Sequence, residues 1–239
     1  MAGRKRLRRW IIAAAVTAVV LAVGVPYVYI HLIEGPSPAP LRLATGQTAA
    51  PSGTASPPAT AAQAQPVAGR WQAGHGSVAG YRVKEVLLGQ DNIAVGRSRS
   101  VSGHLTITGS RLTQAAFTVP VASIHSDQSQ RDVQFDGRIM NAAAYPAASF
   151  ALTRAVRLTP LPATGVVRVY QVTGNLTTHG HTRPVTFAVQ AKRTASTMEV
   201  SGSIPVMFAD WGIPNPSFGS FVTTQNHGEL EFLLVFTKA

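Results

Sequence analysis

The amino-acid sequence predicts an all-β domain, an antiparallel eight-stranded barrel with one short helix, behind an apolar N-terminal segment. Apolar and polar residues alternate over eight or nine short segments, and Gly-rich turns separate these segments at regular intervals. Strand-helix-strand repeats are almost absent. Short strands at regular spacing favour a closed antiparallel barrel. An eight-stranded barrel either fills its interior with side chains or holds one small ligand there.

The first 33 residues predict a membrane anchor. Five Lys and Arg side chains within residues 1–9 precede Trp10 to Ile30, a stretch of 21 residues without a charge. Such a stretch can cross about 30 Å of hydrocarbon at about 1.5 Å per residue. A cleaved signal peptide, the alternative, has a shorter apolar core and a cleavage site. We therefore expect a cytoplasmic basic flank, an uncleaved transmembrane helix at residues 10–33, and an extracytoplasmic remainder at the cell membrane.

Residues 34–66 predict a disordered linker, because they are rich in Pro and Ala and poor in charge. A segment of this composition cannot bury enough apolar surface to offset the conformational entropy lost on ordering. As a flexible coil it would span a root-mean-square distance of about 30 Å. We therefore expect the folded domain, residues 67–239, to be tethered to the membrane and to range over its outer face.

Nine segments of the domain show the alternation that is typical of strands, most clearly around Phe117, Ile204 and Phe232. A single stretch, Ser129 to Ala144, predicts a short helix. The chain has no Cys, so its stability depends on packing without disulfides. The predicted strands are Tyr81 to Leu88, Ile93 to Arg97, Ser102 to Thr108, Leu112 to Val121, Ser149 to Leu158, Val166 to Thr177, Pro184 to Lys192, Met198 to Phe208 and Leu230 to Thr237.

The stretch Thr173 to Val189 predicts a β-hairpin. Apolar residues recur at every second position on both sides of His179-Gly180-His181, where the alternation breaks. The same stretch contains the pattern G-x-L-T-x-x-G-x-T-R-P-V. Its positions are Gly174, Leu176, Thr177, Gly180, Thr182, Arg183, Pro184 and Val185.

Further sequence blocks flank this hairpin in a regular order. They are Val101-Ser102-Gly103, Ala116-Phe117-Thr118-Val119, Ala122-Ser123-Ile124, Arg131-Asp132, Tyr145-Pro146 with Phe150, and Gly228 to Phe232. In order and spacing these blocks resemble the YceI-like family of lipocalin-type, polyisoprenoid-binding proteins, over about residues 67–239. The chain departs from the family's D-x-x-H-S motif, of which it keeps Ser77 but not the preceding histidine.

The resemblance implies a lipocalin-like barrel whose elongated apolar cavity holds an isoprenoid or another long-chain amphiphilic lipid, with no cofactor. We expect aromatic and aliphatic side chains on the apolar phase of the strands to bind this lipid: Tyr81, Phe117, Val119, Phe150, Leu152, Leu176, Phe187, Phe208 and Phe232. The residues by themselves leave a filled core open, because a packed β-sandwich shows the same apolar stripe. The alternatives are therefore a structural or stress-related envelope module with a filled barrel and an enzyme acting on a lipid.

Candidate catalytic and metal-binding residues do not form a convincing site in the sequence. His125-Ser126-Asp127 contains the residue types of a hydrolase triad, but consecutive residues point in different directions. His179 and His181 lack a third metal ligand nearby in sequence. We expect a non-catalytic protein without a metal site, in which Arg131-Asp132 orders the segment leading to Tyr145-Pro146.

The charge distribution argues against a nucleic-acid partner. The chain carries a formal net charge of +11, whereas residues 67–239 hold 15 Lys and Arg against 9 Asp and Glu, a net charge of +6. The arginines of the domain are scattered through alternating strands without a basic run or an aromatic ladder. Scattered cations of this kind are typical of a solvated surface. Alternatively, their modest positive field attracts anionic lipid headgroups.

Overall fold

The structure of the protein, a computed structural model, describes residues 37–44, 66–219 and 222–239. The predicted transmembrane helix at residues 10–33 and most of the predicted linker at residues 34–66 lie outside these ranges. Among the described residues, no helix combines the length and the apolar character needed to cross a bilayer.

The described residues form twelve strands and one α-helix. The helix, α1, spans Ser129–Gln134. The strands are β1 (Gly69–Ala73), β2 (Val78–Leu87), β3 (Gln90–Ser98), β4 (Ser102–Thr108), β5 (Arg111–Pro120), β6 (Ala147–Leu152), β7 (Val156–Arg157), β8 (Val167–Thr178), β9 (His181–Arg193), β10 (Thr197–Met207), β11 (Val222–Thr224) and β12 (His227–Lys238).

Eight of these strands close into a ring in the order β1, β4, β5, β6, β8, β9, β10 and β12. Each pairs antiparallel with the next, and β12 returns to β1 through the pair Phe236 and Ala73. The closed antiparallel eight-stranded barrel that the alternation predicts is therefore confirmed. Trp71 of β1 and Phe236 of β12, which are 1% and 0% exposed, fill the core where the ring closes.

Three further strands, β2, β3 and β11, extend the sheet at one end of the barrel. Strand β12 pairs through its C-terminal part with β1 and through its N-terminal part with β2. Strand β2 also pairs with β3 and β11, so the β2–β3 hairpin projects beyond the ring. Its turn consists of Leu88 and Gly89, both with positive φ, at 51° and 80°. We call this end of the barrel the β2–β3 end. The β4–β5 turn at Gly109 and Ser110 lies at the opposite end.

The predicted hairpin around His179-Gly180-His181 is the β8–β9 pair. Thr178 and His181 are the last paired residues, and His179 and Gly180 turn the chain with φ of 47° and 74°. Two successive residues with positive φ form the type I′ turn that suits the right-handed twist of paired strands. At Gly180 a Cβ atom would lie 2.5 Å from the Tyr145 ring, so the position excludes other residues.

Several elements differ from their predicted bounds. The predicted helix Ser129 to Ala144 is α-helical over Ser129–Gln134 and continues as a π-helical turn over Phe135–Ile139. The predicted strand Ser149 to Leu158 is divided into β6 and β7. Strands β1 and β11 have five and three residues, which is too short for a recognisable alternation.

Eight residues of the predicted linker, 37–44, lie against the outside of the barrel, and we name them the strap. At its first residue the Ser37 hydroxyl donates a 2.7 Å hydrogen bond to the Ile93 carbonyl of β3. At its last residue the Ala44 carbonyl accepts a 2.9 Å hydrogen bond from Lys192 of β9. The strap therefore crosses several strands, and its composition did not predict this contact.

An ion cluster lies beneath the strap. Glu231 of β12 is 4% exposed and pairs with Arg82 at 3.3 Å and with Arg97 at 2.9 Å. Both guanidinium groups also donate to strap carbonyls, and the Leu41 amide donates to the Glu231 carboxylate at 3.2 Å. Leu43 is 5% exposed. The strap thus combines polar contacts to a buried carboxylate with burial of an apolar side chain.

Candidate functional site

An apolar cavity of about 170 Å³ lies inside the barrel, and we name it the inner chamber. Side chains from seven of the eight ring strands line it. Along each strand, inward-facing residues alternate with outward-facing ones, and the inward-facing ones form the wall. Among its lining residues are Leu105, Ile107, Phe117, Val119, Phe150, Leu176, Phe187, Val189, Ile204, Phe232, Leu234 and Phe236. Such a wall offers dispersion contacts and almost no hydrogen bonds, so it suits a hydrocarbon chain.

Five phenylalanine rings form an aromatic belt across the inner chamber. Phe150 of β6 lies 6.4 Å from Phe117 and 5.4 Å from Phe187, measured between ring centroids. The belt continues at 6.0 Å from Phe187 to Phe232 and at 5.6 Å from Phe117 to Phe236. The five rings come from β5, β6, β9 and β12, and all of them line the chamber. Offset and edge-to-face contacts at these distances stabilise aromatic pairs.

Gly174 of β8 makes room for the central ring of this belt. A Cβ atom at Gly174 would lie 2.3 Å from the Phe150 ring and 2.4 Å from the Ala151 carbonyl oxygen. Real side chains do not approach so closely, so Gly is required where β8 passes the ring. This requirement explains the first position of the G-x-L-T pattern in the sequence.

A second cavity, of about 580 Å³, lies at the β2–β3 end, and we name it the outer chamber. Ile124, Ala148 and Leu230 line both chambers, which are therefore neighbours. Strands β2 and β11, helix α1, the π-helical turn and the segment after β10 supply its walls. Its lining is mixed, with apolar residues such as Val83 and Val206 beside charged and amide side chains.

A charged pair stands in the wall of the outer chamber. The Glu85 carboxylate of β2 accepts hydrogen bonds from Asn92 at 2.9 Å and from Arg131 of α1 at 3.4 Å. Arg131 also pairs with Asp127 at 2.5 Å. The side chains of Glu85 and Arg131 are 7% and 18% exposed. This pair connects α1 to β2 and gives the outer chamber polar groups that the inner chamber lacks.

Tyr81 lies beside this pair. Its ring stacks on Phe135 with centroids 4.8 Å apart. Burial raises the pKa of the Tyr81 phenol above its usual value, and the nearby Arg131 guanidinium opposes this rise. The phenol is therefore neutral at physiological pH and can donate or accept a hydrogen bond.

The predicted ligand-binding residues lie in three places. Six line the inner chamber: Phe117, Val119, Phe150, Leu176, Phe187 and Phe232. Tyr81 and Phe208 line the outer chamber instead. Phe208 follows the end of β10 and begins a short 3₁₀ turn, Phe208–Trp211. Leu152 packs against the core without lining either of the two chambers.

Glu85 was not among the predicted site residues. It lies on the same phase of β2 as Tyr81 and Val83, so its side chain faces the outer chamber. A charged residue on the apolar phase of a predicted strand is the signal that could have identified it.

Asp132 has a different role from the predicted one. Its carboxylate accepts hydrogen bonds from the Ser126 amide at 2.8 Å and the Ser126 hydroxyl at 2.7 Å, and lies 3.3 Å from His125 Nδ1. It therefore holds the loop before α1, and not the segment at Tyr145-Pro146 that the sequence predicts.

The same contacts bear on catalysis. Ser126 and His125 both point their polar atoms at Asp132, whereas in a hydrolase triad the serine donates to the histidine. Within the described ranges, His, Asp and Glu side chains form no group of three or more suited to a metal ion. His179 lies 3.1 Å from the Trp211 carbonyl and packs on Tyr145, so it supports the hairpin turn.

Comparison with known families matches residues 72–236 to the YceI-like domain. No curated protein sequence matches the chain. Fold comparison finds a polyisoprenoid binding domain from Saccharophagus degradans implicated in plant cell wall breakdown. The two sequences are 14% identical, and the TM-score is 0.58. The match covers 72% of this chain and 99% of that chain. This likeness shows that the two chains share a fold.

Two further solved structures have lower TM-scores. BcnA of Burkholderia cenocepacia is 22% identical, with 65% of this chain and 95% of that chain covered and a TM-score of 0.49. A YCEI protein of Campylobacter jejuni is 15% identical and has a TM-score of 0.43. The match covers 57% of this chain and 82% of that chain.

Proposed function

Because the chain belongs to the YceI-like domain family, we propose that its barrel binds a long-chain isoprenoid-type lipid, or another long-chain amphiphile, without catalysing a reaction. The observation that carries this proposal is the inner chamber, a cavity inside a closed barrel with a nearly all-apolar wall. The polyisoprenoid-binding domain from Saccharophagus degradans, which has the same fold, supports the choice of ligand class.

The sizes of the two chambers favour a ligand that occupies both. A cavity of about 150 Å³ accommodates a benzene-sized molecule, so the inner chamber, at about 170 Å³, takes only a short piece of hydrocarbon. The outer chamber adds about 580 Å³. We place the end of the lipid tail in the inner chamber and the polar end near Glu85, Arg131 and Tyr81.

Binding of this kind requires little specific chemistry. Each methylene group removed from water contributes about 0.8 kcal/mol, and a few polar groups at one end determine the orientation of the ligand. In this proposal Phe117, Val119, Phe150, Leu176, Phe187 and Phe232 contact the tail, while Tyr81 and Phe208 contact the part nearer the polar end.

We further propose that residues 10–33 anchor the protein in the cell membrane as a single-pass helix, with the barrel on the extracytoplasmic side. The length of the apolar stretch and the preceding cations support this topology. A mature chain that begins near residue 34 would overturn the anchor but leave the binding proposal intact.

The binding proposal is tested by replacing one inward-facing and one outward-facing residue by Arg in the full chain. Phe150→Arg places a charge on the path of the lipid tail, and we expect the purified variant to lose the lipid that copurifies with the parent chain. Val169→Arg, on the exposed outer face of β8, is the matched control.

Native mass spectrometry and organic extraction identify the retained lipid, and circular dichroism establishes that both variants are folded. If the parent chain carries no lipid and takes up no long-chain isoprenoid alcohol, the barrel is a filled structural module. Equal retention by both variants would place the ligand elsewhere.

A further inference from the structure

Exposed apolar side chains surround the mouth of the outer chamber. Val133 of α1 is 69% exposed and Phe218 is 59% exposed, yet both line this chamber. A side chain that lines a cavity and is mostly open to solvent lies at the cavity's opening. Leu88, 39% exposed, is at the tip of the β2–β3 hairpin next to Leu87, another lining residue. We name Leu88, Val133 and Phe218 the mouth rim.

The conformation of Leu88 shows that the turn itself does not favour this residue. Leu88 has φ of 51° in a two-residue turn, where Asn or Asp before Gly is the preferred pair. A bulky residue with positive φ is an outlier and costs free energy. An exposed leucine held in a strained turn is explained by a contact that the isolated domain does not make.

The first residue of the strap lies near the β2–β3 hairpin. Ser37 binds Ile93 of β3, which pairs with Lys84 of β2 and is four residues from the hairpin tip. The other end of the strap, at Lys192, lies toward the opposite end of the barrel. Ser37 therefore lies on the side of the mouth rim, and the apolar stretch Trp10 to Ile30 precedes it in the sequence by only six residues.

Charges near the mouth rim have both signs. Lys84 and Arg138 are exposed cations, and Asp91 and Asp127 are exposed anions on the neighbouring segments. Arg138 donates to the carbonyls of Asn215 and Pro216 and so holds the segment that carries Phe218. A partner attracted mainly by charge would need one dominant sign, so apolar contact is the main interaction that this surface offers.

We propose that the mouth rim docks on the surface of a phospholipid bilayer, so that the outer chamber opens directly onto the membrane. The inference deepens the proposed function, on which it rests for the meaning of the chamber. Apolar side chains beside scattered charges can insert between headgroups and acyl chains. Only three residues separate Ser37 from the proposed anchor at residues 10–33, so an anchored chain would keep the rim within reach of the bilayer.

Single labels in a chain without native Cys test this orientation. We would introduce Asp91→Cys beside the hairpin tip and Ser110→Cys in the β4–β5 turn, couple each to an environment-sensitive fluorophore, and reconstitute the full chain in phosphatidylcholine vesicles. We expect the Asp91→Cys label to shift to the blue and to be quenched by spin-labelled lipid. The Ser110→Cys label, at the opposite end, should show neither effect.

A substitution that favours the turn separates docking from folding. Leu88→Asn in the Asp91→Cys background removes the apolar side chain and suits positive φ, so we expect unchanged or higher thermal stability together with a loss of the blue shift and of quenching. High salt should leave the parent signal in place, because apolar contact dominates.

The possible outcomes are distinct. Three results would each overturn the inference. They are equal signals from both labels, failure of the chain to remain with the vesicles, and dimerisation through the rim that Leu88→Asn abolishes. Quenching without any retained lipid would leave the inference standing and overturn the proposed function. Retained lipid without quenching would do the reverse.

Discussion

Asp132 illustrates how one carboxylate organises a segment of the outer chamber wall. Its Oδ1 atom accepts hydrogen bonds from the amide and the hydroxyl of Ser126, and its Oδ2 atom lies near His125. The neighbouring Arg131 is bound to Glu85 and Asp127. Asp132 thus binds the loop that precedes α1, and Arg131 binds β2. Removing the carboxylate leaves the Ser126 amide and hydroxyl without this acceptor at a partly buried position.

We predict that Asp132→Ala lowers the free energy of unfolding by about 1 to 3 kcal/mol, because the partly buried donors of Ser126 are left unsatisfied. Asp127→Ala, which removes a more exposed carboxylate from the same cluster, should cost no more than about 1 kcal/mol. Urea denaturation of both variants measures the difference. Equal losses would mean that the Asp132 contacts contribute no more than a surface ion pair.

The Tyr81 phenol predicts a dependence of stability on alkaline pH. Burial raises its pKa in the folded protein, so above about pH 10 the unfolded side chain ionises while the folded one stays protonated. The folded state then binds more protons than the unfolded state, and the free energy of unfolding falls as pH rises. We expect Tyr81→Phe to reduce this fall between about pH 10 and 11, as measured by urea denaturation at each pH. The same fall in parent and variant would contradict the prediction.

At the scale of elements, the strap is the largest departure from the sequence prediction. Composition predicts disorder because Pro-rich, Ala-rich segments lack the apolar surface to fold by themselves. The strap is ordered instead by what lies beneath it, the Glu231 cluster and the site that buries Leu43. A segment with weak preferences of its own thus takes its structure from a preformed surface.

Trypsin offers a direct measurement of strap docking, because Arg42 lies within the strap. We predict slow cleavage after Arg42 in the parent chain, since a docked segment must first open locally. Leu43→Ser removes the buried side chain and should speed cleavage at this bond, while Pro40→Ala, at an exposed position, should leave the rate nearly unchanged. Mass spectrometry of the fragments over time gives the rates. A parent chain cleaved as fast as Leu43→Ser would show that the strap does not dock.

The strands themselves follow the sequence more closely. Their positions depend on alternation, which is a local property, and the β8–β9 turn at His179-Gly180 depends on two residues that tolerate positive φ. Short or divided elements were not predictable in this way. Strands β1 and β11 are strands because neighbouring strands offer hydrogen bonds, and β7 exists through two pairings with β5.

For the barrel as a unit, the question is whether its interior holds a ligand or is a solid core. In a filled core Phe→Ala costs about 3 to 5 kcal/mol. Phe150 borders the inner chamber, so we predict that Phe150→Ala enlarges an existing cavity and costs less than this. Trp71→Ala, at the closure of the ring and outside both chambers, should cost the full amount. Thermal and urea unfolding of both variants compare the two positions, and a full loss at Phe150 would indicate a solid interior.

Four properties follow from the sequence alone: the fold class, the hairpin signature, the apolar phase of the strands and the resemblance to the family. These properties depend on residue type and on spacing along the chain, because alternation and turn residues act locally. The phase also identified six residues of the inner chamber wall, including Phe117, Phe150 and Phe187.

How these elements meet is visible only in the folded barrel. The fold divided the interior into two chambers, assigned Tyr81 and Phe208 to the outer one, joined Glu85 to Arg131, and laid the strap over Glu231. Each of these contacts joins residues that are far apart in the sequence, or depends on where a strand ends. Alternation specifies which face of a strand is apolar, but ring closure and strand register decide which apolar residues share a cavity.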